Sequence, residues 1–478
     1  MNSEDTSAAV AEDLALNLAE KRAAFAADPN PEYAVRLDRL DRLLAMVRTN
    51  EAAIIDALSA DFGCRSRTET VLAEILNTQN AINYARRNLR KWMRRRGRHV
   101  TFWSQPAGAY VQAQPLGVVG IMAPWNYALD LSLSPLTGAF AAGNRVMLSI
   151  SEETPNLCSL LQRLFAESFA ADEISVFQSG EVLSPAFARL PFDHLLFTGS
   201  TRVGRLIAQA AASSLTPVTL ELGGKSPTIV APDYDLKEAA ERISWGKAFN
   251  AGQTCAAPDY AFVPAATAHE FAQAVLDKFT RSFAAMDDED LTAIVSERFY
   301  RRLEDMIAEA EAGGAQILRP EGFAPTEQDG VYKMPVTVAL NVPADCRLMQ
   351  EEIFGPVLPV LTYDSLDQVI DFINERDRPL SLYVFSHDPA VIRRVQEGTV
   401  SGSLGVNETL LQYVQNDMAF GGVGSSGQGA YHGQAGFDTF SHLKSVFVQR
   451  GLGRFTGIKL LHPPYGSLTR FIIRLMKG

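Results

Sequence analysis

A chain of 478 residues is too long for one hydrophobic core, so two or three domains are expected. Its composition, with 47% hydrophobic and 21% charged residues, is typical of a soluble globular protein. The net charge of -11 argues against a nucleic-acid-binding protein, because binding a polyanion requires a basic surface.

The four cysteines are far apart in the sequence and form no C-x-x-C pair, which predicts neither a zinc site nor a disulfide framework. We therefore expect no metal ion, and cysteines of this kind suit a reducing cytoplasm. The first residues lack the basic-then-apolar order of a signal peptide, and no apolar run approaches the length that spans a bilayer. These features favour a cytoplasmic protein.

The first part of the chain, from about residue 10 to residue 95, is predicted to be helical. Leu37, Leu40 and Leu44 recur at intervals of three and four residues and therefore share one helix face. Over residues 99–114 the pattern changes to short alternating segments broken by a proline and a glycine, which favours extended strands.

Strands and helices alternate from Gly117 onward. The predicted strands of this stretch are Val118–Met122, Arg145–Leu148, Ile174–Phe177 and Leu195–Phe197. A second alternating stretch begins at Pro217 and runs to about residue 405, with helices predicted near residues 235–249, 267–284 and 297–312. The pattern indicates a parallel, doubly wound sheet with helices on both faces, followed by a second α/β domain. A Gly-rich segment, 421–436, then leads to a strand-like run, Ser445–Val448.

Cys255 lies in a small Gly-containing loop after a helix-like run that ends near Phe249. A lone cysteine is usually a buried, unreactive residue. Glu221, however, lies beside a Gly-Gly turn, and Asn126 follows an apolar strand. Alone, Glu221 would be interpreted as a surface acid and Asn126 as a turn cap. Together, a thiol, a base and a hydrogen-bond donor are the groups needed for covalent chemistry at a carbonyl.

A candidate phosphate-binding turn lies at Phe197–Gly204, where a predicted strand gives way to a helix. Gly199 permits a tight turn, and Ser200 can cap the helix. The free N–H groups and the dipole at a helix start suit a pyrophosphate. The segment lacks the usual G-x-G-x-x-G pattern, and an ordinary strand–helix turn would look the same.

Five segments carry a family resemblance. They are Phe197–Ser200, Glu221–Pro227, Gly252–Tyr260, Glu351–Pro356 and Phe420–Gly427. In these segments, in their order and in the separation of Glu221 from Cys255, the chain resembles the aldehyde dehydrogenase superfamily over nearly its whole length. Within that superfamily it is similar to the class 3 branch, which includes the bacterial coniferyl-aldehyde-dehydrogenase-like enzymes.

The resemblance implies an α/β fold of three parts. A Rossmann-like, parallel-sheet NAD(P)-binding domain would comprise residues 1–98 and 115–216, and a second α/β domain, the catalytic one, residues 217–410. A β-ribbon for oligomerisation and the C-terminal tail would comprise residues 99–114 and 430–478, and the chain would form a homodimer. In the tail, apolar residues interleave with three cations. We favour packing of the tail on the partner subunit over membrane contact, because anionic lipid repels an acidic chain.

The activity implied by the resemblance is the NAD- or NADP-dependent oxidation of an aldehyde to a carboxylate. Cys255 would attack the aldehyde carbon as a thiolate, while the Asn126 amide and the Cys255 backbone N–H hold the oxyanion. After hydride transfer to the nicotinamide, Glu221 would activate the water that hydrolyses the Cys255 thioester. A partly apolar site could tune the pKa of Glu221 toward neutrality.

Further site residues follow from the resemblance. Those expected to bind the cofactor are Trp125, Glu152, Gly199, Ser200, Gly204, Leu222, Glu352 and Phe354. Tyr127 would line the aldehyde tunnel with Trp245 and Phe249, which lie four apart and share a helix face. Trp245 and Phe249 could equally belong to the core, where aromatic residues are common. An aromatic wall favours aromatic aldehydes such as coniferyl aldehyde, or medium- to long-chain aliphatic aldehydes.

One position departs from the family pattern. The family usually has a lysine and then a proline where this chain has Ser149 and Ile150. That lysine donates to the adenosine ribose, so the choice between NAD and NADP stays open. Two alternatives remain beside the main interpretation. A CoA-acylating dehydrogenase is one, although thiolysis would not need Glu221 as a water-activating base, and a catalytically weakened structural relative, favoured by Ser149 alone, is the other.

Overall fold

The computed structural model describes residues 3–450, 459 and 461–477. Its α-helices are α1 Ser3–Ala27, α2 Tyr33–Thr49, α3 Glu51–Phe62, α4 Arg67–Thr70, α5 Leu76–Trp92, α6 Asp130–Ala142, α7 Pro155–Ser168, α8 Leu183–Ala188, α9 Thr201–Ala212, α10 Leu236–Ala248, α11 Ala268–Ser282, α12 Glu297–Ala312, α13 Arg347–Gln350, α14 Leu366–Asn374, α15 Pro389–Gly398, α16 Gly433–Thr439 and α17 Ser467–Met476. A π-helical turn, Val71–Ile75, joins α4 to α5.

The strands are β1 Arg96–Arg98, β2 Gly108–Pro115, β3 Val118–Ala123, β4 Arg145–Ile150, β5 Ile174–Gln178, β6 His194–Gly199, β7 Val218–Leu222, β8 Pro227–Val230, β9 Tyr260–Pro264, β10 Gln316–Leu318, β11 Thr326–Gln328, β12 Val331–Lys333, β13 Thr337–Leu340, β14 Val357–Tyr363, β15 Ser381–Phe385, β16 Ser403–Val406, β17 Gly427–Gln428 and β18 Ser441–Val448. The helical prediction for residues 10–95 is confirmed over α1 to α5.

The first sheet has six strands in the order β17-β7-β6-β3-β4-β5, and all run parallel except the edge strand β17. The four strands predicted between residues 118 and 197 all lie in this sheet, which confirms the parallel arrangement. β7 also lies here, paired with β6. The expected start of the second domain at residue 217 is therefore too early, because an alternating pattern identifies strands without saying which sheet they join.

Helices cover both faces of the first sheet. Because side chains alternate along a strand, Val119 and Ile121 of β3 pack on one face, with helices α2, α5, α6 and α7. Val118 and Met122 pack on the opposite face, with helices α1, α8 and α9. This arrangement confirms the doubly wound, Rossmann-like layer structure.

The second sheet has seven strands in the order β10-β13-β14-β9-β8-β15-β16, parallel apart from the edge strand β10. Helices α10 and α11 cover one face, and α12, α14 and α15 cover the other. The helices predicted near residues 235–249, 267–284 and 297–312 are confirmed as α10, α11 and α12. The chain therefore has a second α/β layer system beside the first.

A third, antiparallel sheet of β1, β2 and β18 forms a ribbon. Strands β2 and β18 pair along their whole length, from Gly108 opposite Val448 to Pro115 opposite Ser441. The strand predicted at Ser445–Val448 is confirmed within β18.

The C-terminal tail includes helix α17, most of whose apolar side chains are exposed. Residues 451–458, 460 and 478 of the tail expected over 430–478 lie outside the described residues. Within the part of the chain that the structure describes, no helix is both long and apolar enough to cross a lipid bilayer.

Candidate active site

Four of the expected site residues lie where the edges of the two large sheets meet. Asn126 follows the carboxyl end of β3 and Glu221 lies near that of β7, whereas Cys255 precedes the amino end of β9 and Glu352 that of β14. The Asn126 side chain donates to the carbonyl of Gln253 over 3.1 Å, which ties the two edges together. Ligands of open α/β sheets bind at the carboxyl ends of the strands. Here the second sheet covers that edge and adds the cysteine.

The loop that carries Cys255 has an unusual backbone. Asn250, Ala251 and Gly252 are consecutive left-handed residues, with φ angles of 52°, 51° and 68°. Only glycine adopts this region without cost, and a non-glycine residue there costs roughly 1–2 kcal/mol. A Cβ atom at Gly252 would come within 2.4 Å of the Gly355 carbonyl oxygen. The loop is therefore pressed against the segment that follows Glu352.

Two buried amide side chains hold the strained loop in place. Gln253 Nε2 donates to the carbonyls of Asn250 and Ala293, both at 3.0 Å, and Gln253 Oε1 accepts the Val295 N–H at 3.0 Å. Asn250 Nδ2 donates to the carbonyl of Asn126 at 3.0 Å. These bonds satisfy backbone groups that the irregular loop would otherwise leave unpaired in the interior.

A fully buried ion pair contacts the backbone of Asn126. Arg65 and Glu74 are 3.0 Å apart, and neither side chain is exposed. Arg65 Nη2 also donates to the Asn126 carbonyl at 3.0 Å, and Glu74 Oε2 accepts two backbone N–H groups at the start of α6, at 2.8 and 2.9 Å. The pair thus fixes the turn between β3 and α6, and with it the position of the Asn126 amide.

Burial controls the protonation of the candidate nucleophile and base. The Cys255 side chain is only partly accessible, and burial, with smaller contributions from the charges of Glu352 and Glu221, raises the pKa of the Cys255 thiol to about 12. Glu221 is buried, neither of its carboxyl oxygens has a hydrogen-bond partner, and burial raises its pKa well above the ordinary value. The expected direction of the Glu221 shift is therefore confirmed. The raised pKa of Cys255 means that the attacking thiolate must form during the reaction.

The Glu352 carboxylate lies against the Gly223–Gly224 turn. A Cβ atom on Gly223 would come within 2.1 Å of Glu352 Oε2, and the Gly224 N–H donates to the carboxylate. Glu352 Oε1 is buried without a partner, and burial, followed by the nearby Asp259 carboxylate, raises the pKa of Glu352 to about 8. A buried acceptor without a donor fits a ribose hydroxyl, because hydrogen bonding would remove its desolvation penalty.

The segment that carries Glu352 is fastened on both sides. Lys225 Nζ pairs with Asp259 at 2.5 Å and donates to the Glu351 carbonyl at 2.9 Å, and Asp259 Oδ1 accepts the Ile353 N–H at 3.0 Å. Phe354 follows with a left-handed φ of 50°. The contacts of Lys225 and Asp259 fix the backbone on both sides of Glu352.

Trp125 lies in an aromatic cluster. Its ring centroid is 4.9 Å from that of Phe299, 5.4 Å from that of Phe354 and 6.1 Å from that of Phe62. Two of the residues expected to bind the cofactor, Trp125 and Phe354, are thus brought together as one apolar wall.

The expected phosphate-binding turn has the predicted form. Gly199 ends β6, and Ser200 caps α9 by accepting the Val203 N–H at 3.4 Å. Gly204 allows Leu222 to pack on the first turn of α9, because a Cβ atom there would come within 2.6 Å of the leucine. Four expected cofactor residues therefore surround one helix N-terminus.

Two positions near β4, Glu152 and Ser149, make no hydrogen bond to the start of α9 within the part of the chain that the structure describes. Glu152 is exposed in the turn after β4, and it is Glu153 that forms an ion pair, with Arg298 at 2.8 Å. Ser149 is fully buried and its hydroxyl is 2.7 Å from that of Ser179. Ser149, which replaces the lysine usual in the family, is therefore hydrogen-bonded to Ser179 within the interior.

The three expected tunnel residues flank the cysteine loop. The Tyr127 hydroxyl lies 2.6 Å from Thr254 Oγ1, next to Cys255. The Trp245 and Phe249 rings are 5.3 Å apart. Trp245 is 37% exposed, so the core alternative is wrong for this residue.

Sequence reasoning missed the residues that support the site. Those residues are Arg65, Glu74, Asn250, Gln253 and Tyr383, the last of which donates from its hydroxyl to the Ala256 carbonyl at 2.6 Å. The only signal in the sequence is the presence of Asn250 and Gln253 inside a motif already assigned to the nucleophile.

Known proteins resemble this chain in sequence and in fold. The family model described as Aldehyde dehydrogenase family matches residues 3–446. The chain is 46% identical to a probable coniferyl aldehyde dehydrogenase of Pseudomonas aeruginosa, over 96% of this chain and 95% of that protein. Among solved structures, the substrate-bound state of Staphylococcus aureus AldH has a TM-score of 0.91 and 36% identity, covering 96% of this chain and 99% of that one. An NAD+ complex of an aldehyde dehydrogenase from Bacillus cereus has a TM-score of 0.83 and 25% identity, covering 92% and 89%.

Replacing Arg65 by Met tests the buried ion pair. The substitution leaves the Glu74 carboxylate buried without its cation, so we expect the free energy of unfolding to fall by about 3–5 kcal/mol in chemical denaturation. Arg67→Met is the matched control, because Arg67 pairs with Asp56 at the surface, with both side chains more than 60% exposed. That variant should lose less than about 1 kcal/mol. Equal losses in both variants would contradict the structural role of the buried pair.

Proposed function

The chain belongs to the aldehyde dehydrogenase family, and we propose that Cys255, Glu221 and Asn126 carry out its chemistry. The protein is an NAD(P)-dependent, non-acylating enzyme that oxidises an aldehyde to a carboxylate. One observation above all supports the three residues. A partly accessible thiol lies within electrostatic range of a buried carboxyl group, and both oxygens of that group lack hydrogen-bond partners.

Acylation begins with attack of Cys255 on the aldehyde carbon. Because burial raises the pKa of the thiol to about 12, its proton leaves to water as the carbon–sulfur bond forms. The Asn126 amide has two N–H groups and gives one of them to the Gln253 carbonyl. The second is free to stabilise the oxyanion, together with the Cys255 backbone N–H.

The residues around the cleft fit a nicotinamide dinucleotide. When bound, it supplies the acceptor for the hydride that leaves the substrate carbon. Glu352 Oε1 would accept from the nicotinamide ribose, and the start of α9, with Gly199 and Ser200, would hold the pyrophosphate. The remaining contacts are proposed for Trp125, Glu152, Gly204, Leu222 and Phe354. We propose NAD or NADP as the cofactor, and Ser149 supplies no cation beside the adenosine ribose to select between them.

Deacylation is the task of Glu221. Loss of the hydride leaves a thioester on Cys255, and water must then displace the sulfur. Glu221 takes a proton from this water as the oxygen bonds to the acyl carbon, and Asn126 again holds the oxyanion. The raised pKa of Glu221 makes its ionised form a stronger base than an exposed carboxylate.

The two alternatives have less support. A CoA-acylating enzyme would have no use for a buried carboxyl group with free oxygens beside the thiol. A catalytically silent relative is supported by Ser149 alone, and that residue is bonded to Ser179 without disturbing Cys255, Glu221 or Asn126.

For the substrate we propose an aromatic aldehyde of the coniferyl type, with medium- to long-chain aliphatic aldehydes as the second candidate. The aromatic wall of Tyr127, Trp245 and Phe249 supports an apolar or aromatic substrate. The name of the Pseudomonas aeruginosa relative, a probable coniferyl aldehyde dehydrogenase, points to the aromatic class.

We also propose a homodimer of two-domain subunits in the cytoplasm. The first sheet with its helices would be the cofactor domain and the second the catalytic domain, and the ribbon of β1, β2 and β18 would serve oligomerisation. The ribbon's edge strand β18 exposes Leu443 and Phe447, and α17 exposes Leu468, Phe471 and Leu475. Four unpaired cysteines support a reducing compartment.

Glu221→Gln tests the base. The variant keeps the shape of the side chain but cannot take a proton, so we expect steady-state turnover to fall by roughly 100-fold or more while a first-turnover burst of NADH remains. Stopped-flow absorbance measures both phases. Cys255→Ser should lose both the burst and the steady-state turnover. Glu311 is an exposed carboxyl group on α12, and Glu311→Gln should leave both phases unchanged. Loss of the burst in Glu221→Gln would contradict its assignment to deacylation.

Trp245→Ala tests the substrate wall. Removing the partly exposed indole should raise the KM for coniferyl aldehyde by roughly five- to ten-fold, about 1–1.5 kcal/mol, and change the KM for propanal much less. Leu215→Ala removes a side chain that is 88% exposed, at the amino end of β7, and is the control. If Trp245→Ala raises the KM for coniferyl aldehyde and for propanal equally, the residue does not contact the distal part of the substrate.

Ending the chain at Gly466 tests the role of the tail. The full-length protein should elute in size-exclusion chromatography at about twice its mass of 52.2 kDa, and the truncated form should dissociate because it loses the apolar face of α17. Flotation with anionic vesicles is the parallel measurement. Strong flotation that depends on the tail would refute the dimer assignment in favour of membrane contact.

A further inference from the structure

A half-buried carboxyl group bonds to the backbone of the cysteine loop. Glu69, on the short helix α4, accepts the Asn250 N–H at 3.0 Å and the Thr292 hydroxyl at 2.7 Å, both through its Oε2 oxygen. Asn250 is 181 positions away in the sequence and lies just beyond the end of α10. Its N–H has left the helix and is satisfied by this distant side chain instead of a helix carbonyl.

The bond from Asn250 to Glu69 is the first of three hydrogen bonds that reach the candidate oxyanion donor. The Asn250 carbonyl accepts the Gln253 N–H at 3.0 Å. The Gln253 carbonyl in turn accepts the Asn126 amide at 3.1 Å. Gln253 also lies two positions before Cys255. The placement of the Asn250 backbone therefore affects both the Asn126 amide and the Cys255 thiol.

The conformation of Asn250 makes this acceptor important. Asn250 is fully buried and begins the left-handed stretch of the cysteine loop, with a φ of 52°. A residue in this region persists only where the surrounding contacts hold it. Without Glu69, the Asn250 N–H would be unpaired in the interior, and the turn would lose one of the bonds that oppose its relaxation.

The Glu69 carboxyl group is itself fixed in place. Ser66 accepts the Glu69 N–H at 3.2 Å and so caps α4. The Ser66 N–H donates to the Thr292 hydroxyl oxygen at 3.1 Å, while the Thr292 hydrogen goes to Glu69. The Cys64 carbonyl accepts the Ala293 N–H at 2.8 Å. Two segments that are distant in the sequence therefore hold the carboxyl group from both sides.

The surroundings of Glu69 oppose its ionisation. Burial raises the pKa of Glu69 to about 7, and the bonds from Thr292 and Asn250 offset part of that rise. The Arg65 guanidinium lowers the pKa further, whereas the Asp290 carboxylate raises it. Burial thus removes much of what the two bonds contribute to folding stability. Their remaining effect is to orient the cysteine loop.

We propose that Glu69 is a positioning residue for the nucleophile, an inference that rests on the role proposed above for Cys255. By accepting the Asn250 N–H, it keeps the left-handed turn in the conformation that presents the thiol and the Asn126 amide to one aldehyde group. In this role Glu69 does not contact the substrate or the cofactor, and it takes up no proton in the reaction. Its loss slows acylation without weakening the binding of either ligand.

Three substitutions of Glu69 test the role. Glu69→Leu removes the acceptor, so we expect the rate of the first-turnover NADH burst to fall by roughly ten-fold or more. Glu69→Asp keeps the charge but is one methylene shorter, and it should also slow the burst. Glu69→Gln still offers an oxygen that can accept both hydrogens, so it should stay within about three-fold of wild type. Stopped-flow absorbance measures the burst.

Two further measurements separate positioning from a general loss of structure. The aldehyde concentration at half-maximal burst rate and the Kd for NAD should be unchanged in all three variants. Hydrogen exchange followed by mass spectrometry reports on the loop itself. The peptide that contains Asn250 and Cys255 should exchange faster in Glu69→Leu and Glu69→Asp than in wild type, and at the wild-type rate in Glu69→Gln.

Asp233→Leu is the matched control. Asp233 also accepts two backbone N–H groups, that of His387 at 2.7 Å and that of Asp388 at 3.0 Å. It follows the carboxyl end of β8, whereas the cleft lies at the amino ends of the strands of the second sheet. The variant should keep both the burst rate and the exchange rate of the cysteine loop.

A wild-type burst rate in Glu69→Asp would overturn the positioning role, and this variant decides the matter if Glu69→Leu does not fold. Equal slowing in Glu69→Gln would also overturn it, as would a slow burst without faster exchange of the loop. A wild-type protein that forms no acyl group on Cys255 would instead contradict the proposed function, and the role of Glu69 with it.

Discussion

The buried ion pair between Arg65 and Glu74 is the interaction on which the geometry of the site depends. Each charge would be costly in the interior without the other. Together they bind the Asn126 carbonyl and the first N–H groups of α6. The Asn126 segment in turn anchors the left-handed cysteine loop through Asn250 and Gln253. Loss of the pair would therefore loosen the oxyanion donor and the nucleophile at once.

Burial also governs the chemistry, since it raises the pKa of the thiol and of both nearby carboxyl groups. Cys255, Glu221 and Glu352 share one region, and each would repel the negative charge of the others. A site of this kind favours neutral groups at rest and develops charge only as bonds form. It therefore needs donors for the oxyanion, and the Asn126 amide is proposed as one of them.

Local patterns were sufficient to predict most of the fold. Alternation of apolar residues identified the strands of the first sheet, and helical spacing identified α10, α11 and α12. Sheet membership could not be predicted, because the pairing of β7 with β6 is decided by the packing of both sheets. The motifs around Cys255 and Glu221 also named the candidate chemistry.

The supporting residues could not be predicted, because their contacts are distant in the sequence. Arg65 is 61 positions from Asn126, and Glu69 is 181 positions from Asn250. Neither periodicity nor a motif brings such pairs together. The direction of the pKa shift of Glu221 could be predicted, because the residue was expected in a partly apolar site. The raised pKa of the Cys255 thiol could not be predicted, because it depends on how completely the fold buries the side chain.

The central claim is that the acyl group of the substrate is carried by Cys255. The most direct test is to mix Glu221→Gln with an aldehyde and NAD, quench in acid, digest the protein and locate the added mass by peptide mass spectrometry. The account predicts one acyl group, on the peptide that contains Cys255. An adduct on the peptide of Cys64, Cys158 or Cys346, or NADH formed without any adduct, would contradict it.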